Sequence, residues 1–245
     1  MLIMGHPQFE TQDDVGIGDG IPPIPEWQLD STAVHDDLSE LDNIDVDYAV
    51  RNVFIRLRNV FQRAQRIPFA TTRLHDLACF VVHRLLPSAS DTVTPQWSLI
   101  TECIRYAVIL YMFIIQGPTY YSHEVILNSI VTRFVEYLIQ LQATPRVYDS
   151  LDVWLFAVGI VASTGTIHYQ WFRERARAIT ASLWLGTWDD ALVLIKSVLW
   201  LDTPQGEDIF RSSWDAVLGA TDQPRPLDFT VCVSPSSGGC QELME

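Results

Sequence analysis

Prolines and glycines cut residues 47–218 into segments of helix length, and this punctuation constrains the fold more than any motif does. Pro68, Pro87, Pro95, Gly117–Pro118, Pro145, Gly186 and Pro204 each fall where one apolar stripe ends or the next begins. Proline lacks an amide proton and clashes with the preceding turn, so it ends a helix or opens one. Between these stops the apolar residues keep helical spacing. Val50, Val53, Phe54, Leu57, Val60 and Phe61 recur three, four and seven apart, which predicts a first body helix over about 47–66. A second is capped by Thr71 or Thr72 and ends near Leu86, and a third starts at Thr94–Pro95 and runs to Ile115. A fourth spans about 122–142, and a fifth, 150–162, is apolar nearly all round and therefore central. A sixth opens at Thr166 and ends at Gly186. Thr187-Trp-Asp-Asp190, a capping box with Asp in place of Glu, starts a seventh through Trp200, and Thr203–Pro204 starts an eighth through about Leu218. The expected fold class is all-α: a single multi-helix domain of about eight helices, 47–219, with almost no strand signal beyond Phe229–Val233.

The flanks read differently. Residues 1–46 are rich in Pro, Gly and Asp without sustained periodicity, and are expected to be a disordered acidic leader with a short helical turn near Asp36–Leu41. Residues 220–245 form a Pro/Ser/Gly tail, expected to be flexible. The net charge of −14 is concentrated in the leader: residues 1–50 hold twelve acids and no Lys or Arg, leaving −2 for the rest. The body is nearly neutral, and its most basic stretch is the first helix, with Arg51, Arg56, Arg58, Arg63 and Arg66. Five arginines could meet phosphates. The alternative is a solvated helix face, engaged intramolecularly by the acidic leader in a contact that salt would screen.

Four cysteines give no framework. Cys79 and Cys103 lie in apolar helical stretches and read as buried thiols, while Cys232 and Cys240 would pair only in an oxidising compartment. The start, MLIMGHPQ, lacks a basic region and an apolar stretch of signal-peptide length. The apolar runs Tyr106–Ile115 and Val153–Ala162 are ten residues each, against about 20 for a membrane span, so they read as core helices. An intracellular, soluble protein without membrane partners is the expectation.

The search for chemistry assigns no catalytic, cofactor-binding or metal residue. Gly16-x-Gly18-x-Gly20 follows no strand and runs into Ile21-Pro-Pro, so it lacks the context of a dinucleotide loop. Read as a calcium loop, it puts Val15 and Ile17 where oxygen ligands are required. His75 and His83 lie two turns apart with no third ligand in register. His123–Glu124 and Asp189–Asp190 sit in first turns, where acids suit the helix dipole. Tyr120 and Tyr121 occupy the turn between the third and fourth helices.

Two stretches resemble a known family. ECIRYAVILYMFIIQGPTYYSHEVILNSIVTRF (102–134) is similar to the regulatory region of fungal zinc-cluster transcription factors, the fungal-specific transcription factor domain. The stronger likeness is VWLFAVGIVASTGTIHYQWFRERARAI (153–179), then LGTWDDALVLIKSVLWLD (185–202) and Trp214-Asp215, which resembles that domain's C-terminal end. The resemblance covers about 50–218 and rests on aromatic anchors and helix order. It implies a nuclear, all-α regulatory domain that answers an effector or a protein partner. The first 78 residues hold no cysteine, so the six-cysteine DNA-binding module usual in the family is absent from them. Zinc is therefore expected only with an upstream module, and sequence-specific DNA binding by this chain alone is not. A truncated gene model, a fragment and a stand-alone paralogue all fit that pattern. The expected function is effector response or protein interaction in transcriptional regulation, with protein partners or self-association. The alternatives are a helical scaffold or oligomerisation protein, and an all-α enzyme using a His/Glu acid–base pair among His75, His83, His123 and Glu124.

Overall fold

In a computed structural model, the described residues are 21–28, 44–66, 69–86, 98–117, 124–144 and 147–219. They form an all-α fold of nine helices: α1 (Pro25–Gln28), α2 (Tyr48–Ala64), α3 (Thr71–Leu85), α4 (Leu99–Gln116), α5 (Glu124–Gln142), α6 (Ser150–Ala162), α7 (Tyr169–Leu183), α8 (Trp188–Val198) and α9 (Pro204–Leu218). No strand occurs among them.

Two apolar helices organise the core. α6 is buried from Ser150 through Ile160 and packs against α4, α7, α8 and α9. α4 is buried from Ile100 through Met112 except for the half-buried Tyr106, and packs on α3, α5 and α6. By length and composition α4 could cross a membrane, but 67% of its span is buried inside the fold, the expected state of a core helix. Gly159 lets α6 and α7 approach closely: a Cβ there would overlap the Phe172 ring, which is itself fully buried.

Local chemistry sets most helix starts. Asp149 and Asp152 exchange backbone hydrogen bonds at 3.1 Å in a capping box that opens α6. Thr187 and Asp190 do the same for α8, and Asp190 also accepts from the Gly186 N–H. Those bonds, led by the one from the Thr187 hydroxyl, hold the Asp190 carboxyl below its usual range. At α9, Thr203 accepts from the Gly206 N–H at 3.1 Å and Pro204 takes the first turn.

Other boundaries differ from the sequence expectation. The N-cap of α3 is Ala70, without a side-chain hydrogen bond, and Thr71 lies inside the first turn. α4 starts at Leu99 behind Ser98, while Thr94–Pro95 lies outside the described residues. α7 begins at Tyr169 because Thr166 instead accepts the His168 N–H at 3.2 Å within a turn. It ends at Leu183, because Trp184 adopts the left-handed conformation at φ 57°. α8 ends at Val198, where Leu199 turns extended and its carbonyl accepts the Trp154 indole N–H at 2.8 Å. Also outside the described residues lie the glycines at 16, 18 and 20, the turn expected near Asp36–Leu41, the tyrosines at 120 and 121, His123, Cys232, Cys240 and the strand expected at Phe229–Val233.

The range assigned to the leader is not uniform. Residues 21–28 within it dock on the body, with Ile24 5% and Trp27 0% exposed. Trp27 packs edge-on to Phe80 of α3 at 5.0 Å between ring centroids. A four-residue helix has no periodicity to betray it, so tertiary burial alone defines α1.

Candidate functional site

The arginines of α2 do not act as one phosphate-facing row. Arg56 Nη1 and Arg63 Nη1 donate to the backbone carbonyls of Trp27 and Glu26, at 3.4 and 3.0 Å. Arg56 also lies over the Trp27 ring, 5.9 Å from its centroid. Seven residues is close to two turns, so positions 56 and 63 share the flank of α2 that carries α1. Arg51 Nη2 donates to the Ile44 carbonyl at 2.5 Å, fastening the approach to α2. Within the described residues, the leader contacts this helix through buried apolar side chains and main-chain carbonyls. Its one ion pair within the described residues joins Glu26 to Arg73 of α3.

The other two arginines face elsewhere. Arg58 and Gln62 lie on the opposite flank of α2, and Gln65 and Arg66 follow in the turn that ends it. With Lys196 of α8 and Trp200 beyond it, they line a cleft of about 350 Å³. α2 packs on α1, α3 and α4 but not on α8, and the cleft is the gap this leaves. Asp202, in the connection to α9, ties its walls together. Asp202 Oδ1 accepts from the Trp200 indole at 2.7 Å and pairs with Lys196 Nζ at 2.8 Å. Its Oδ2 accepts from Gln65 Nε2 at 3.3 Å.

Behind the cleft lies the aromatic cluster that joins α4, α6, α8 and α9. Tyr111 contacts Trp154, Trp200 and Phe210, and Trp188 contacts both Trp200 and Trp214, with centroids 5.8–6.5 Å apart. The Tyr111 hydroxyl oxygen accepts the Leu201 N–H at 2.9 Å, and complete burial pushes its phenol far above the usual range.

Among the described residues, the titratable side chains singled out in the sequence do not converge. His75 is exposed on α3, whereas His83 is 2% exposed and burial lowers its pKa. Eight residues correspond to about 80° of helical rotation, so the two face different surroundings. His123 and the side chain of Glu124 lie outside the described residues. Asp189 points to Arg211 of α9 at 3.5 Å while Asp190 caps α8, so the pair divides into two structural roles. No group of three or more metal-ligating side chains occurs among the described residues.

A contact the sequence did not single out joins α3 to α4. His75 Nε2 lies 3.6 Å from Cys79 Sγ and His75 Nδ1 lies 2.6 Å from the Gln116 amide. Burial, with Asp76 adding repulsion, raises the Cys79 pKa, so its thiol stays protonated at neutral pH. Cys103 is buried in α4. No family model, no curated protein and no solved structure matches this chain.

Proposed function

We propose that this chain is a regulatory domain acting in transcription through protein contacts, of the kind its sequence resembles in fungal zinc-cluster transcription factors. Trp184 carries this reading. It terminates α7 at φ 57°, a conformation that bulky L-residues avoid, and the Leu185 N–H closes onto the Thr180 carbonyl at 3.0 Å. Glycine serves that position at lower conformational cost, yet an indole stands there and is 90% exposed. Packing within the fold gives no reason for it. Exposed aromatic side chains are common anchors of protein interfaces. Val193 on α8, 70% exposed, adds a second apolar residue outside the core.

In this reading the chain works in the nucleus, has no catalytic role, and binds no specific DNA sequence by itself. The test tethers the full chain to a heterologous DNA-binding domain and reads a reporter. Wild type is expected to change transcription several-fold and Trp184→Gly to lose the effect while remaining folded; an unchanged reporter with wild type overturns the reading. A tight, sequence-selective complex between purified chain and duplex DNA would overturn its DNA-binding part.

The same exposed residues favour one second reading, a scaffold that self-associates through Trp184. Light scattering separates the two: a wild-type oligomer that Trp184→Gly converts to monomer supports the scaffold, and a wild-type monomer removes it.

A further inference from the structure

We propose that the cleft between α2 and α8 binds a small phosphorylated anion, a site that does not depend on the regulatory role above. Three cationic side chains, Arg58, Arg66 and Lys196, converge on a space of about 350 Å³ together with two amide side chains, Gln62 and Gln65. That volume lies within the range of small-molecule sites, which runs from about 300 to 1,000 Å³. Asp202 pairs with Lys196, and Arg58 and Arg66 bring two guanidinium groups to the same space. A phosphoryl anion suits these donors. Planar guanidinium groups suit its oxygens because two parallel N–H donors can meet one phosphoryl group.

The walls are fixed before any ligand arrives. Asp202 holds Trp200, Gln65 and Lys196 by separate bonds, so half of the lining residues are anchored through one carboxylate. Preorganisation of this kind lowers the ordering cost of binding. Arg66 is exposed at the mouth of the cleft and makes no side-chain hydrogen bond or ion pair among the described residues. Arg58 on α2 and Arg66 just past its C-terminus line the cleft from one side, and Lys196 of α8 lines it from the other. Trp200, largely buried, closes the cleft with its ring and leaves its N–H committed to Asp202.

The test titrates the purified full chain with pyrophosphate at constant ionic strength in a calorimeter. One saturable site with Kd below about 1 mM is expected, weakened about tenfold by Arg66→Gln and about tenfold by Lys196→Gln. Circular dichroism confirms that both variants remain helical. Arg175→Gln, which removes an exposed cation on α7, leaves the affinity unchanged. No saturable heat up to about 10 mM, or equal binding by wild type and both cleft variants, overturns the site. Equal affinity for citrate at the same ionic strength overturns the phosphoryl assignment, because the cleft would then be reading charge alone.

Discussion

Tyr111 joins two halves of the core through one oxygen. Its hydroxyl accepts the Leu201 N–H where α8 has ended and α9 has not begun, a stretch whose backbone groups lack helical partners. Tyr111→Phe keeps the ring contacts with Trp154, Trp200 and Phe210 but removes that acceptor, leaving a buried N–H unpaired. The expected loss is about 1–3 kcal/mol, read from urea denaturation midpoints at unchanged slope. Trp184 works in the opposite sense. A left-handed L-residue costs about 1–2 kcal/mol, and glycine returns part of that gain through unfolded-chain entropy. Trp184→Gly is therefore expected to stabilise the fold by about 0.5–1 kcal/mol in the same assay while abolishing the proposed protein contact. Neither role was legible from spacing. Tyr111 lies ninety residues from Leu201, and nothing in the run Leu183-Trp184-Leu185-Gly186 marks which residue leaves the helix. Gly186 was the natural stop by residue type, yet the chain turns two residues earlier.

At the scale of an element, α4 shows how a core helix tolerates charge. Glu102 and Arg105, one turn apart and both nearly buried, bond at 3.1 Å, and Arg105 Nη1 also donates to the Leu85 carbonyl at the end of α3 at 2.6 Å. The guanidinium thus caps α3 from α4, and Glu102 supplies its counter-charge. Burial nevertheless raises the Glu102 pKa, with Asp47 adding to the rise and Arg105 opposing it. A carboxyl whose pKa is higher in the folded state favours folding most when protonated. That contribution is present below the ordinary carboxylate pKa and declines as pH rises through the raised one. Wild type should therefore lose stability relative to Glu102→Gln as pH climbs across that window. At neutral pH the Gln variant is expected within about 1 kcal/mol of wild type, because its amide oxygen still faces Arg105. Glu102→Ala removes the counter-charge of a nearly buried guanidinium, which keeps its bond to Leu85, and should lose about 3 kcal/mol. Denaturation curves at a series of pH values check both, and a Gln variant as unstable as the Ala variant would refute the account. The helix itself was readable from its ten-residue apolar run, α6 from its nearly all-round apolarity, and α8 and α9 from Thr187 and Thr203–Pro204. The charged pair was not, since whether Arg105 points to solvent or across to Leu85 is decided by where α3 ends.

For the whole molecule, the arrangement turns on α2, which separates two kinds of basic contact on its two flanks. Positions 56 and 63 grip α1, positions 58 and 66 face the α8 cleft, and the apolar stripe between them enters the core. The sequence showed five arginines and an acidic leader and suggested a charge-driven contact. Within the described residues the structure adds main-chain carbonyls and a buried indole to that contact, because a helix end offers unpaired carbonyl oxygens that guanidinium groups can reach. The cleft was illegible for a related reason: Gln65 and Asp202 meet across 137 residues, so no local spacing announces it. The docking of α1 makes a prediction about salt. If the leader were held by its acidity, raising ionic strength would release it, since exposed charges are screened over about 10 Å at 0.1 M. Trp27 is fully buried, and apolar burial is expected to govern the contact. Trp27→Ala should lose about 3–5 kcal/mol, the usual range for emptying a buried aromatic site. Glu26→Gln breaks only a half-exposed ion pair with Arg73 and should lose less than about 1 kcal/mol. The difference between these variants should persist when salt is raised from about 0.05 to 0.5 M, where charge–charge contacts fade and apolar burial does not. Thermal unfolding of wild type and both variants at the two salt concentrations reads this directly. A Trp27→Ala penalty that collapses in high salt would return the leader to an electrostatic tether.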